Sequence, residues 1–182
     1  MNKLKINLLL LLLYPLFAGA KEVNLSSPNK VLHVVVTAEK NVSMQVLHKE
    51  NVLFTVRDIY LDTDQGMLPK LNAKVHSIKK NAVDQIIVPE IKEKNSRIVD
   101  RYNEISLLFA DKTKLEIRLY DNGVAYRIST NCKGELTIFD EAADFAFDPS
   151  STLFFQKDAN MNSDYEAPYV EQKIQDIEQG VT

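Results

Sequence analysis

The sequence predicts an all-β protein built as an antiparallel β-sandwich, on three observations. Apolar and polar residues alternate with period two over most of the chain, short turn signals recur between the alternating runs, and no long amphipathic helical pattern separates them. The clearest run is Leu115-Glu116-Ile117-Arg118-Leu119-Tyr120, with Leu115, Ile117 and Leu119 on one face and Glu116 and Arg118 on the other. After Asp121-Asn122-Gly123 the alternation resumes with Val124, Tyr126 and Ile128 on one face, and Asn-Gly is expected to supply the positive φ angles of a tight hairpin. Ile105, Leu107 and Phe109 alternate in the same way before the turn Ala110-Asp111-Lys112, so three consecutive strands are expected over about residues 102–130.

The remaining strand expectations are Leu32 to Ala38, Val42 to His48, Val52 to Leu61, Ala73 to Lys79, Gln85 to Lys92, Leu136 to Phe139 and Phe145 to Phe147. Ser27-Pro28-Asn29, Glu39-Lys40-Asn41, Lys49-Glu50-Asn51 and Asp148-Pro149-Ser150 are the turns between them. Asp62 to Lys70, with Gly66 and Pro69, reads as a loop, and Val170 to Gln179 alone invites a helix with a thin apolar stripe. The segment from Asp158 to Thr182 is polar and lacks a closing strand, which predicts a piece of a longer polypeptide.

The first 20 of the 182 residues have the form of a cleaved signal peptide. Lys3 and Lys5 precede an apolar run from Ile6 to Phe17, and Ala18-Gly19-Ala20 offers a cleavage site after Ala20. Residues 21–182 are then one domain, periplasmic or secreted, with no membrane segment after cleavage. Loss of the two leader lysines leaves 20 basic against 25 acidic residues, a mildly acidic surface without the basic block that nucleic-acid binding requires. Cys132 is the single cysteine, so no intramolecular disulfide can form.

Candidate chemistry is sparse. His33, His48 and His76 are too scattered for a zinc motif, and the chain contains no G-x-S-x-G nucleophile elbow. They are expected at strand positions, and Cys132 in a turn beside Lys133. Asp140, Glu141 and Asp144 form one acidic group, expected in a solvated loop after a strand, and Asp158, Asp164 and Glu166 form another in the polar tail. Paired carboxylates could serve glycoside hydrolysis, but loop spacing does not set the required separation. The run Asp158 to Tyr169 mixes hard oxygen ligands with Tyr165, Tyr169 and Pro168, yet lacks the glycine and terminal acid of an EF-hand.

Taken in order, Leu25-Ser26-Ser27-Pro28-Asn29-Lys30, the meander Val42 to Leu53, Arg101-Tyr102-Asn103-Glu104-Ile105, the hairpin Arg118 to Arg127 and the loop Met161 to Tyr169 resemble the N-terminal region of glycoside hydrolase family 97. The resemblance covers the chain from Lys21 onward. It implies a non-catalytic, carbohydrate-associated N-terminal β-sandwich, truncated before a catalytic (β/α)8 barrel of the same polypeptide, in an enzyme acting on α-linked glucosides or galactosides. Since the catalytic carboxylates of such enzymes lie in the barrel, no catalytic residue is assigned here. The resemblance further implies that Glu166 supplies one carboxylate to a calcium ion near the active site, with the other ligands from the barrel. Tyr165 and Tyr169 are the substrate-binding candidates, stacking on a pyranose ring or sealing the interface to the barrel, with the seal preferred. The other reading of the same strands is a stand-alone periplasmic sandwich used for binding or adhesion.

Overall fold

The structure is a computed structural model that describes residues 21–92, 94–157 and 166–178. Eleven strands are formed among them: β1 Lys21–Ser26, β2 Leu32–Ala38, β3 Val42–His48, β4 Asn51–Thr63, β5 Val75–Ile87, β6 Ile98–Phe109, β7 Lys114–Tyr120, β8 Val124–Ser129, β9 Ile138–Phe147, β10 Thr152–Gln156 and β11 Tyr169–Lys173. They make a five-stranded sheet in the order β1-β2-β3-β4-β9, a four-stranded sheet in the order β5-β6-β7-β8, and a two-stranded ribbon of β10 and β11. All pairings are antiparallel, as the all-β sandwich expectation requires.

The period-two pattern dictates the core. Val34 and Val36 of β2, Met44 and Val46 of β3, and Val56 of β4 turn inward from the first sheet, and Ile105, Leu107, Phe109, Leu115, Ile117 and Leu119 meet them from the second. The β1 strand faces β6 and β2 faces β7, so the two inner layers interleave over the middle of both sheets. Such side chains each contribute about 1.5–3 kcal/mol through burial, which is the principal force holding the sheets face to face.

Polar cross-links then fix the lateral position of the sheets. Asn103 donates from Nδ2 to the carbonyl of Ser26 at 2.8 Å, and Lys80 donates to the carbonyl of Asn24 at 3.0 Å. The Asp121 carboxylate accepts the backbone N–H of Asn29 at 2.8 Å and the Arg101 guanidinium at 2.5 Å, joining the β1–β2 turn to β6 and to the β7–β8 turn. Within the β1–β2 turn, the buried Ser27 hydroxyl donates to Asn29 Oδ1 at 2.7 Å and accepts the N–H of Leu32 at 3.0 Å, while Lys30 takes φ 60°.

Several expectations are corrected. The helix expected over Val170 to Gln179 is, in its described residues, strand β11 followed by one 3-10 turn at Ile174–Asp176, and Gln179 lies outside the described residues. Val170, Ile174 and Ile177 imitate helical spacing, but Val170 instead lies opposite Phe155 in the ribbon. The two short strands expected around residues 73–79 and 85–92 are one continuous β5, because its hydrogen bonds to β6 run unbroken through the polar Lys80-Asn81 pair, which faces solvent at a sheet edge. The strands expected at Leu136 to Phe139 and Phe145 to Phe147 are one strand, β9, which starts only at Ile138, so Asp140, Glu141 and Asp144 lie in a strand and not in a loop. The β7–β8 hairpin forms where expected, with Tyr120 donating its N–H to the carbonyl of Gly123 at 2.8 Å, yet neither Asn122 nor Gly123 takes a positive φ. Asp121, tied on both carboxylate oxygens, restrains that turn instead. The β1 and β10 strands had no sequence expectation.

Candidate functional site

Of the tail residues singled out in the sequence, Glu166 and Tyr169 are described; Tyr165, Asp158 and Asp164 lie outside the described residues. Glu166 is exposed and enters the β10–β11 ribbon through Ala167, whose carbonyl accepts the Gln156 Nε2 at 2.8 Å. That bond ties the chain beside Glu166 to the end of β10. Tyr169 opens β11 opposite Gln156 and is 71% exposed, so it is not locked in the domain's own core. By strand alternation it shares a ribbon face with Phe154, which is also exposed.

Calcium takes 6–8 oxygen ligands, and a carboxylate alone gives two at most. Among the described residues no group of three or more histidine, cysteine, aspartate or glutamate side chains comes together to hold a metal ion. His33 sits in β2 with Nδ1 3.0 Å from the Ser26 hydroxyl, His48 ends β3 opposite Asn51, and His76 lies in β5. Cys132 is half-buried in the connection from β8 to β9.

The acidic group in β9 is engaged rather than poised. Asp144 pairs with Arg57 at 3.1 Å, Glu141 accepts the Tyr126 hydroxyl at 3.2 Å, and Asp140 accepts the Glu141 N–H at 2.8 Å. Burial of Tyr126, reinforced by the charge of Glu141, raises the phenol's pKa above its ordinary value.

Two features escaped the sequence reading. The first is an apolar surface on the β9 side of the five-stranded sheet and on the ribbon. Phe54 meets Phe147 with ring centroids 5.5 Å apart and Phe145 at 6.1 Å, and Phe139, Phe145, Phe147 and Phe154 are all substantially exposed. Exposed clustered aromatic side chains such as Phe145 and Phe147 around Phe54 mark a contact surface. The second is a charged and aromatic network on the outer face of β6, β7 and β8. Arg118 donates to Glu104 at 2.7 Å and lies 4.5 Å over the ring of Tyr102, which in turn packs on Tyr120 at 5.1 Å. The bond to Glu104 raises the guanidinium pKa further, while burial raises that of the Tyr102 phenol. Burial opposes the charge on Glu116, but hydrogen bonds from Lys114 at 2.9 Å and Arg127 at 2.7 Å outweigh it and hold the carboxyl below its usual range. Asp121 is likewise held low, first by the Asn29 N–H and then by Arg101.

Residues 25–182 match the family described as Glycosyl-hydrolase 97 N-terminal. The chain is 26% identical over 170 residues to the retaining alpha-galactosidase of Bacteroides thetaiotaomicron, covering 91% of this chain and 26% of that protein. The fold superposes on a Glycoside Hydrolase Family 97 enzyme from Pseudoalteromonas sp. strain K8, solved in complex with acarbose. That match has a TM-score of 0.73 and 16% identity, over 85% of this chain and 25% of that one. A beta-arabinopyranosidase crystal structure matches with a TM-score of 0.66 and 21% identity, over 82% of this chain and 26% of that one. The chain thus spans about a quarter of the length of these relatives.

Proposed function

This chain belongs to the N-terminal domain family of glycoside hydrolase 97, and on that premise we propose that it is the non-catalytic β-sandwich of a secreted α-glycosidase, acting on α-linked glucosides or galactosides through a (β/α)8 barrel in the same polypeptide. The observation that carries this reading is the extent of the family match: it runs from residue 25 through the rest of the described sandwich, while the matched relatives extend over lengths of which this domain is a quarter. The exposed aromatic surface supports it, because Phe139, Phe145, Phe147 and Phe154 are the kind of side chains that a neighbouring domain covers. Tyr169 stands on the same ribbon as Phe154 and belongs to that seal, with Tyr165 beside it in sequence. The leader in residues 1–20 directs the product to the periplasm or beyond.

Reading the coding sequence past Thr182 tests the domain assignment. Continuation into alternating strand and helix patterns is expected; a stop codon with no adjoining barrel favours the stand-alone binding module.

Glu166 is proposed as one oxygen ligand of a calcium ion held mainly by the catalytic domain. Its exposure and the anchoring of Ala167 by Gln156 suit a carboxylate offered outward from a fixed ribbon end. In the full-length protein Glu166→Gln is expected to raise the calcium concentration for half-maximal activity about tenfold, the loss of one charged ligand among several. An unchanged calcium titration removes this role from Glu166.

A further inference from the structure

The outer face of β7 and β8 has a hollow of about 180 Å³ lined by Glu116, Arg118, Tyr120, Ala125, Tyr126 and Arg127. Its origin is local. Ala125 stands directly opposite Arg118 in the ladder, and Glu116 stands opposite Arg127, so one methyl group occupies a position among long side chains. The space is well below the roughly 300–1,000 Å³ of a pocket for a drug-sized ligand, and its scale is that of one small ring.

We propose that this hollow, with neither Glu166 nor Tyr169 in its lining, is a binding site for a single neutral sugar ring of an α-linked oligosaccharide. The proposal deepens the carbohydrate-associated reading given above and rests on it for the class of ligand. Two physical features favour a neutral polyol. The charges lining the hollow are already paired, Glu116 with Lys114 and Arg127, and Arg118 with Glu104. Hydroxyl groups add to these pairs without breaking one. Each guanidinium carries five N–H donors, and Glu116 engages only Nε and one terminal nitrogen of the exposed Arg127.

The second feature is preorganisation. Glu116 has only 13% of its side chain exposed and accepts from three neighbours, Lys114, Arg127 and Ser129. Arg118 is held between Glu104 and the Tyr102 ring, and Tyr120 is held against that same ring. A ligand orders none of these groups on arrival, which removes a main cost of weak binding. The Tyr120 ring adds apolar surface for the C–H face of a pyranose beside donors and acceptors for its hydroxyls.

The test is a titration of the mature chain, labelled with 15N, with maltotriose and separately with melibiose. Amide shifts concentrated between Arg118 and Arg127, saturating with a Kd of about 1 mM, are expected for at least one of the two sugars. Ala125→Gln and Ala125→Leu fill the hollow from an exposed strand position, and both are expected to weaken the response about tenfold while leaving the core resonances in place. No shifts at about 20 mM sugar, roughly twentyfold above that Kd, overturn the proposal. So do shifts that lie elsewhere or persist unchanged in both variants. A silent titration alongside α-glycoside turnover by the full-length protein removes this site alone, whereas a full-length protein without turnover removes the parent reading.

Discussion

Phe109→Ala is expected to cost about 3–5 kcal/mol, because it deletes a fully buried aromatic side chain where the two sheets meet. Phe109 is 1% exposed at the end of β6 and belongs to the same buried cluster as Leu107, Leu115 and Met44. Its backbone also closes the β6–β7 turn, donating to the carbonyl of Thr113 at 2.9 Å and accepting the N–H of Lys112 at 3.0 Å. The substitution leaves those backbone bonds in place, so its effect isolates the lost side chain and the cavity left behind. A domain of this size is typically stable by about 5–15 kcal/mol, so this one change removes a large share. Urea denaturation followed by far-ultraviolet circular dichroism measures it, with an unchanged m value showing that stability and not compactness has moved. Phe139→Ala is the control: that ring is 66% exposed in β9, and its loss is expected to move stability by no more than about 0.5 kcal/mol in the isolated chain. A loss below about 1 kcal/mol at Phe109 contradicts a shared core between the sheets.

The same residues show what the sequence makes legible. Ile105, Leu107, Phe109, Leu115, Ile117 and Leu119 are each no more than 1% exposed, and all six were readable from alternation because central strands must bury one face. β2 and β3 were readable to the residue for the same reason. Edge elements were not. β5 and β9 each pair on one side only, so solvent accepts their polar residues, and alternation breaks without breaking the strand. β11 was misread because two or three apolar residues fit either period when a segment is short.

The site was less legible than the fold. Asp121 links Asn29, 92 residues away, to Arg101, and nothing local to either segment announces that contact. Glu104 and Arg118 meet because the β6–β7 register places them opposite each other, and the hollow at Ala125 exists only relative to its cross-strand neighbours. The family resemblance drew attention to the tail, where Glu166 and Tyr169 are exposed, while the outer face of β6 to β8 entered the sequence reading only as a strand alternation.

On the proposed function, residues 21–182 in isolation are expected to hydrolyse α-glycosides no faster than the uncatalysed reaction, and the full-length polypeptide to accelerate the same hydrolysis by about 10⁶-fold or more. The physical reason lies in the carboxylates. Glycoside hydrolysis needs two of them flanking one scissile bond, at roughly 5–5.5 Å apart for retention or 6.5–9.5 Å for inversion, with one kept protonated by its surroundings. The β9 acids are engaged with other partners: Asp144 pairs with Arg57, Glu141 accepts from the Tyr126 hydroxyl, and Asp140 accepts from a backbone N–H. Glu116, the carboxylate facing the hollow, is held below its usual pKa by Lys114 and Arg127, the reverse of what a general acid requires. Glu104 is bound to Arg118. The measurement is release of p-nitrophenol from the α-glucoside and the α-galactoside by each purified protein, at equal molar concentration. Turnover by the isolated chain that survives repurification and disappears on Glu141→Gln overturns the non-catalytic assignment, since it requires a carboxylate of this domain to be doing the chemistry.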